Sequence, residues 1–86
     1  MNGKDGGAMM DKEVRTSEEE IKVQVAKELV QFRIRNGFTQ TQLAERAGKR
    51  QSQIARMESG RANVSFKTLD EIVSRAGGKI AIKIEG

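Results

Sequence analysis

The chain of 86 residues contains no cysteine and no histidine. Disulfides, thiol catalysis and the usual zinc ligand sets are thereby excluded, and a reducing cytoplasm is the expected location. The sequence also has no cluster of carboxylates, so nothing supplies an enzyme's base and nucleophile, and neither a cofactor nor a metal is expected. No run of 18 apolar residues occurs, and the opening Met1-Asn2-Gly3-Lys4-Asp5-Gly6-Gly7 lacks the apolar centre of a signal peptide. Membrane insertion and secretion are therefore not expected. Tryptophan and tyrosine are absent, and the aromatic set is confined to Phe32, Phe38 and Phe66. All three fall on expected apolar faces, which leaves no exposed platform for stacking single-stranded bases. At this length one domain is expected, burying roughly 60% of the surface of its unfolded chain, so that a lone subunit has a small margin of stability.

What the chain has is positive charge, unevenly placed. The net charge is +4, yet residues 1–20 hold three basic and six acidic side chains, whereas residues 21–86 hold thirteen and six. Lys49, Arg50, Arg56, Arg61 and Lys67 lie in or beside one stretch, and from residue 49 to residue 67 Glu58 is the lone acid. Such a surface fits a polyanion, and without aromatic platforms the polyanion expected is duplex DNA.

That stretch, from Thr39 to Gly60, organises the chain. Leu43, Ala44 and Ala47 recur at helical spacing, Gly48 stops the helix, and Ile54 and Met57 resume the period after Lys49 and Arg50. Two short helices must meet at a sharp angle. On the second, Ile54 and Met57 share one side, while Gln51, Ser52, Ala55, Arg56 and Ser59 form a slim polar row on the other.

Upstream, residues 1–16 are rich in Gly and charge and show no apolar period, which predicts a disordered extension; Met9 and Met10 stand as alternative starts to Met1. Ser17-Glu18-Glu19-Glu20 opens a helix that runs to about Asn36, with Ile21, Val25, Leu29 and Phe32 as its core stripe and Val23, Val30 and Ile34 off that line. Gly37 supplies its left-handed exit. Downstream, Gly60 ends the second motif helix, Ser65 caps a further helix with Phe66, Leu69, Ile72, Val73 and Ala76 on its buried face, and Gly77-Gly78 closes it. Residues 17–78 thus form the domain. In residues 79–86, Ile80, Ile82 and Ile84 alternate with Ala81, Lys83 and Glu85 at period two, which predicts one strand. No other segment alternates this way, so its partner strand is expected from a second copy of the chain.

The motif resembles the helix-turn-helix of the lambda-repressor-like (Xre) family. The resemblance rests on Gln40, Leu43-Ala44, Ala47-Gly48, Ile54, Met57 and Glu58-Ser59-Gly60, with Arg33, Asn36-Gly37-Phe38-Thr39 and Asn63-Val64-Ser65-Phe66 with Thr68-Leu69 around them. It extends from about Leu29 to Ala76. Lys49 departs from it where an apolar residue is usual, Arg50 where a Ser or Thr cap is usual, and Val64 where Pro is common. The resemblance implies a mainly α fold, a bundle of four to five helices, here followed by the C-terminal strand pairing across a homodimer. It implies that the second motif helix enters the major groove of double-stranded DNA.

On that basis Gln51, Ser52, Ala55 and Arg56 are the candidate base contacts. A Gln amide matches adenine N6 and N7, an Arg matches guanine O6 and N7 or settles on phosphate, and the Ala methyl suits thymine. Thr39, Gln40, Arg50, Arg61 and Asn63 are the candidates for the DNA backbone, with solvent-facing, cap or turn roles as their plainer alternatives. Thr39 also caps its helix, whereas Arg50 has no capping oxygen and costs α-helix stability on the order of 1 kcal/mol relative to Ser. The resemblance further implies a partly buried Arg33–Glu58 pair tying the first helix to the motif; a solvated Arg33 is the alternative. Ile80, Ile82 and Ile84 are the candidate dimerisation residues.

The run from Gln51 to Asn63 followed by a short strand is similar to antitoxins of Hig-type toxin-antitoxin operons, which repress their own promoter at a palindromic operator and neutralise a toxin protein. A small phage or plasmid repressor is the rival reading. A protein-interaction module that kept the fold without DNA is another, which acidic residues on the outer row would have favoured.

Overall fold

The computed structural model describes residues 17–86; the expectations for residues 1–16 lie outside them. Four helices follow one another: α1 (Ser17–Arg35), α2 (Gln40–Ala47), α3 (Gln51–Glu58) and α4 (Phe66–Arg75). The arrangement is that of a helix-turn-helix bundle, in which α2 packs on both α3 and α4 while α1 packs on α3. Among the described residues no helix is long and apolar enough to cross a membrane.

Local chemistry sets each boundary. α1 begins with Glu18, Glu19 and Glu20 and ends with Arg33 and Arg35, the signs that its dipole favours at each end. At the start of α2, Thr39 and Gln42 form a reciprocal box: Gln42 N–H donates to Thr39 Oγ1 at 3.0 Å, and Thr39 N–H donates to Gln42 Oε1 at 2.9 Å. Gly48 ends α2 at φ 67°, in the left-handed region. There Lys49 N–H reaches back to Ala44 O at 2.8 Å, so the turn itself satisfies carbonyls that the helix leaves open. α4 opens on Ser65, whose Oγ accepts from Thr68 N–H at 3.1 Å.

The core is built from one face of each helix: Leu29 of α1, Leu43, Ala44 and Ala47 of α2, Ile54 and Met57 of α3, and Ile72, Val73 and Ala76 from α4 and its end. Small Ala44 and Ala47 let α2 approach its neighbours closely, and Leu43, Ile54 and Ile72 fill the space with no exposure at all.

Two expectations about burial are corrected. On α1 the buried line passes through Ala26 and Leu29, and Ile21 is 57% exposed; the small Ala26 lies where the α3–α4 loop presses close, its Cβ 3.8 Å from where a Cβ on Gly60 would sit. The stripe drawn through the largest side chains was therefore turned away from the contact by part of a helical step. Phe66 does not join the buried face of α4: it stands at the first position of the helix, 75% exposed, because the core face begins only at Leu69. This leaves one aromatic on the surface where none was expected.

Residues 79–86 form no strand among the described residues of the single chain. Gly78 lies tight under α1, where a Cβ would fall on the Phe32 ring and within 3.0 Å of Val73 Cγ1. Ile80 then packs against the core, after which Ile82 and Ile84 are 70% and 92% exposed. Beyond Gly78, whose N–H donates to Val73 O, the backbone makes no hydrogen bond to the described chain. A strand is defined by its ladder, and the described residues pair no second segment with this one.

The departure at Lys49 also finds its reason here. Its Nζ lies 3.1 Å from Glu71 Oε1, linking the α2–α3 turn to α4. The hydrogen bond and then the charge of Lys49 hold the Glu71 carboxyl below its ordinary range, with lesser help from Arg75 and Lys67. A carboxyl so lowered contributes stability above its unfolded pKa and loses that contribution as pH falls through its folded value. Replacing Lys49 with Met should move the Glu71 titration back toward the ordinary value and weaken the acid dependence of stability. Carbon-detected NMR of the carboxyl follows this directly, and an unmoved titration would show that Lys49 is not the cause.

Candidate nucleic-acid interface

α3 is eight residues long and amphipathic. Ile54 and Met57 hold it on the core, which turns Gln51, Ser52 and Arg56 to solvent and leaves Ala55 half-buried between them. At its start Arg50 takes the extended backbone of a cap residue but gives no side-chain cap, since a guanidinium has no acceptor. Half of a capping box remains: Arg50 N–H donates to Gln53 Oε1 at 2.9 Å. The sequence reading passed over Gln53, although its spacing from Arg50 repeats that of Gln42 from Thr39. At the other end Ser59 Oγ turns back to donate to Arg56 O at 2.6 Å and accepts from Arg61 N–H at 3.3 Å, fixing the loop that carries Arg61.

A chain of polar contacts ties this helix to the rest of the bundle. Arg33 Nε donates to Glu58 Oε2 at 2.6 Å, Nη2 to Oε1 at 3.1 Å, and Nη1 to Phe38 O at 3.0 Å. The pair is well shielded, with side-chain exposures of 17% for Arg33 and 6% for Glu58. Gln40 Nε2 then donates to Glu58 Oε1 at 2.9 Å, and Gln40 Oε1 accepts from Gln51 Nε2 at 2.7 Å. The structure thus brings four of the named residues into one path, Arg33–Glu58–Gln40–Gln51, crossing α1, α3 and α2. Gln40, read from the sequence as reaching for the DNA backbone, spends its carbonyl and one N–H inside the protein and keeps a single N–H free. Gln51 keeps its carbonyl oxygen and one N–H free on the exposed side.

The cations differ in how they are matched. Arg33 and Lys49 are matched by Glu58 and Glu71, and Arg75 Nη1 donates to Ala47 O at 2.8 Å, closing the end of α2. Arg50, Arg56 and Arg61 are exposed and have no carboxylate partner among the described residues. Asn63 is likewise exposed, in the loop between α3 and α4. These three arginines place positive charge at the start of α3, on its outer row and just after its end.

A helix-turn-helix family model matches residues 29–81. The chain belongs to the helix-turn-helix family. It is also 33% identical over 72 residues to a protein of Haemophilus influenzae named as an uncharacterized HTH-type transcriptional regulator, covering 84% of this chain and 71% of that one. No solved structure matches the chain. The match begins at Leu29, a buried core residue of α1, and it takes in the whole polar path and Ile80.

Within this helix-turn-helix protein, loss of either member of the shielded pair strands the other charge. Glu58→Ala should cost about 3 kcal/mol of stability, well above an ordinary surface substitution. Arg33→Ala combined with it should cost clearly less than the sum of the single losses, because the second substitution removes a charge already stranded. Denaturant titrations of the four proteins measure the coupling, and strict additivity would show that the pair does not act as a unit.

Proposed function

We propose that this protein is a sequence-specific, double-stranded DNA-binding transcription regulator that acts as a homodimeric repressor. Membership of the helix-turn-helix family supports the DNA-binding class, and the observation that carries the reading is the outer row of α3. Gln51, Ser52 and Arg56 project from a helix pinned to the core, and Arg50, Arg56 and Arg61 surround it with unpaired charge. Gln51, Ser52, Ala55 and Arg56 read base edges in the major groove. Thr39, Arg50, Arg61, Asn63 and the free N–H of Gln40 meet the phosphates. Because Gln40 occupies one N–H of Gln51, the amide left over is one acceptor beside one donor, which is the complement of adenine's major-groove edge. The absence of acid on the outer row disfavours a protein-binding module that has given up DNA.

The finer role proposed is that of an antitoxin that represses its own operon at a palindromic site and neutralises a toxin protein. It rests on the similarity of the run from Gln51 to Asn63, with its C-terminal segment, to the Hig-type antitoxins. Residues 79–86 provide the dimer contact by antiparallel pairing with a second copy, which sets two α3 helices roughly 34 Å apart, one turn of duplex. A reading frame for a short basic toxin beside this gene is the observation that separates an antitoxin from a phage or plasmid repressor.

If each subunit neutralises roughly four phosphates, log K should fall against log salt with a slope of about −7. On an operator selected from random duplexes, Gln51→Ala or Arg56→Ala should cost about 1 to 3 kcal/mol and little on unrelated DNA, whereas Arg61→Ala should weaken both alike. Fluorescence anisotropy at several salt concentrations reads all of this; a slope shallower than about −2 would remove duplex DNA as the ligand.

A shortened chain ending at Gly78 keeps every core residue except the half-buried Ile80 and loses the proposed contact. It should be monomeric by light scattering and bind half-sites weakly. A persistent dimer would move the interface elsewhere, with Val23, Val30 and Ile34 of α1 as the next surface to test.

A further inference from the structure

The C-terminal segment leaves the bundle with Ile82 and Ile84 exposed and, beyond Gly78, its backbone unpaired among the described residues, and its own side chains specify how a second copy fits it. Ile80 is held on the core, so the even-numbered side faces inward at that point, and Ile82 and Ile84 continue that side past the edge of the domain. The odd-numbered side carries Lys79, Ala81, Lys83 and Glu85. Lys83 Nζ lies 3.8 Å from Glu85 Oε2, as side chains two apart on one side of an extended chain do.

Two copies related by a two-fold axis can pair in only a few registers. Those that set even positions against odd ones split the isoleucines between the two sides of the ribbon. Centring on Ala81 sets Lys83 opposite Lys79, and centring on Lys83 sets it opposite itself; like charges directly across are unfavourable. Centring on Ile84 matches Lys83 with Glu85 but sets Ile82 opposite Gly86. Centring on Ile82 sets Ile80 opposite Ile84 twice and Ile82 opposite Ile82, and places Lys79 opposite Glu85 at both ends, with Lys83 opposite Ala81.

We infer that residues 79–85 pair with a second copy of the chain in the register centred on Ile82, with Lys79 and Glu85 as reciprocal partners that select it. This rests on the dimer proposed above and names the residues that specify it. The two charge pairs make the segment self-complementary, and the six isoleucines form one continuous apolar row anchored at both ends on the cores through Ile80.

The absence of native cysteine makes the register directly readable. In an antiparallel pair, residues directly opposite have Cα atoms about 4.5 or 5.5 Å apart, both within reach of a disulfide. Ile82→Cys in the full-length chain should therefore cross-link to its own copy under mild oxidation. Ile80→Cys and Ile84→Cys should each fail alone, their own copies lying roughly 13 Å away along the ribbon, but should cross-link to each other when mixed. Lys79→Glu and Glu85→Lys should each raise the dimer dissociation constant about tenfold. An equimolar mixture of the two should restore it, since each heterodimer carries two opposite-charge pairs.

Ile82 is exposed in the single chain, so its replacement leaves the fold intact for this test. Cross-linking by Ile84→Cys alone in place of Ile82→Cys would overturn the register while leaving the dimer standing. An unmodified chain that is monomeric by light scattering would overturn both.

Discussion

The Glu58 carboxylate is the point through which the arrangement of three helices is fixed. It sits at the end of α3, almost wholly shielded, and takes hydrogen bonds from Arg33 of α1 and Gln40 of α2. A shielded carboxylate is costly unless its lone pairs are met, so its presence demands that these donors stay where they are. Arg33 also reaches Phe38 O, so the same guanidinium holds the turn that leads from α1 into α2. The apolar core brings the helices together without direction, whereas this group sets their register and passes it on to Gln51 through Gln40.

A division of labour among the positive charges follows. Those whose position matters to the fold are spent inside it, as Arg33, Lys49 and Arg75 are, each bonded to an acceptor on another element. Arg50, Arg56 and Arg61, which have no carboxylate partner among the described residues, surround α3, where the arginine at the cap position even forgoes the local stability that a Ser or Thr would give. α3 is too short to be stable by itself and owes its conformation to the core beneath it and to the contacts at its two ends. The result is a rigid platform with an unsatisfied electrostatic face, which a phosphate backbone can neutralise.

The C-terminal segment is the opposite case, a piece of chain whose conformation the domain does not complete. Phe32, Val73 and Gly78 direct its exit closely, and Ile80 pins its first turn of side chains to the core. From Ile82 onward nothing among the described residues covers it. Burying an isoleucine contributes roughly 1.5 to 3 kcal/mol, which is large beside the stability of so small a domain. The bundle and its tail are therefore energetically unequal, one closed on itself and the other open to a partner.

The sequence by itself determined the four helices, their caps and stops, and the two sides of α3, because these depend on spacing within a few residues. The alternation of Ala44, Ala47, Ile54 and Met57 with polar positions, the left-handed exits at Gly37 and Gly48, and the Thr39 cap could all be read along the chain. So could the pairing of Arg33 with Glu58, although through resemblance to a family and not through spacing. What only the tertiary structure decided were contacts between residues far apart and the exact face that each helix presents. Lys49 and Glu71 are 22 positions apart and Gln40 and Gln51 are 11, distances over which a sequence carries no phase information. Ala26 replaced Ile21 in the contact of α1, and Phe66 stayed outside, because apolar residues mark a helix side only to within part of a turn and the neighbouring backbone chooses among them. The alternation of Ile80, Ile82 and Ile84 was legible as a pattern, but a strand exists through its hydrogen-bonded neighbour, and the described residues of a single chain do not contain one.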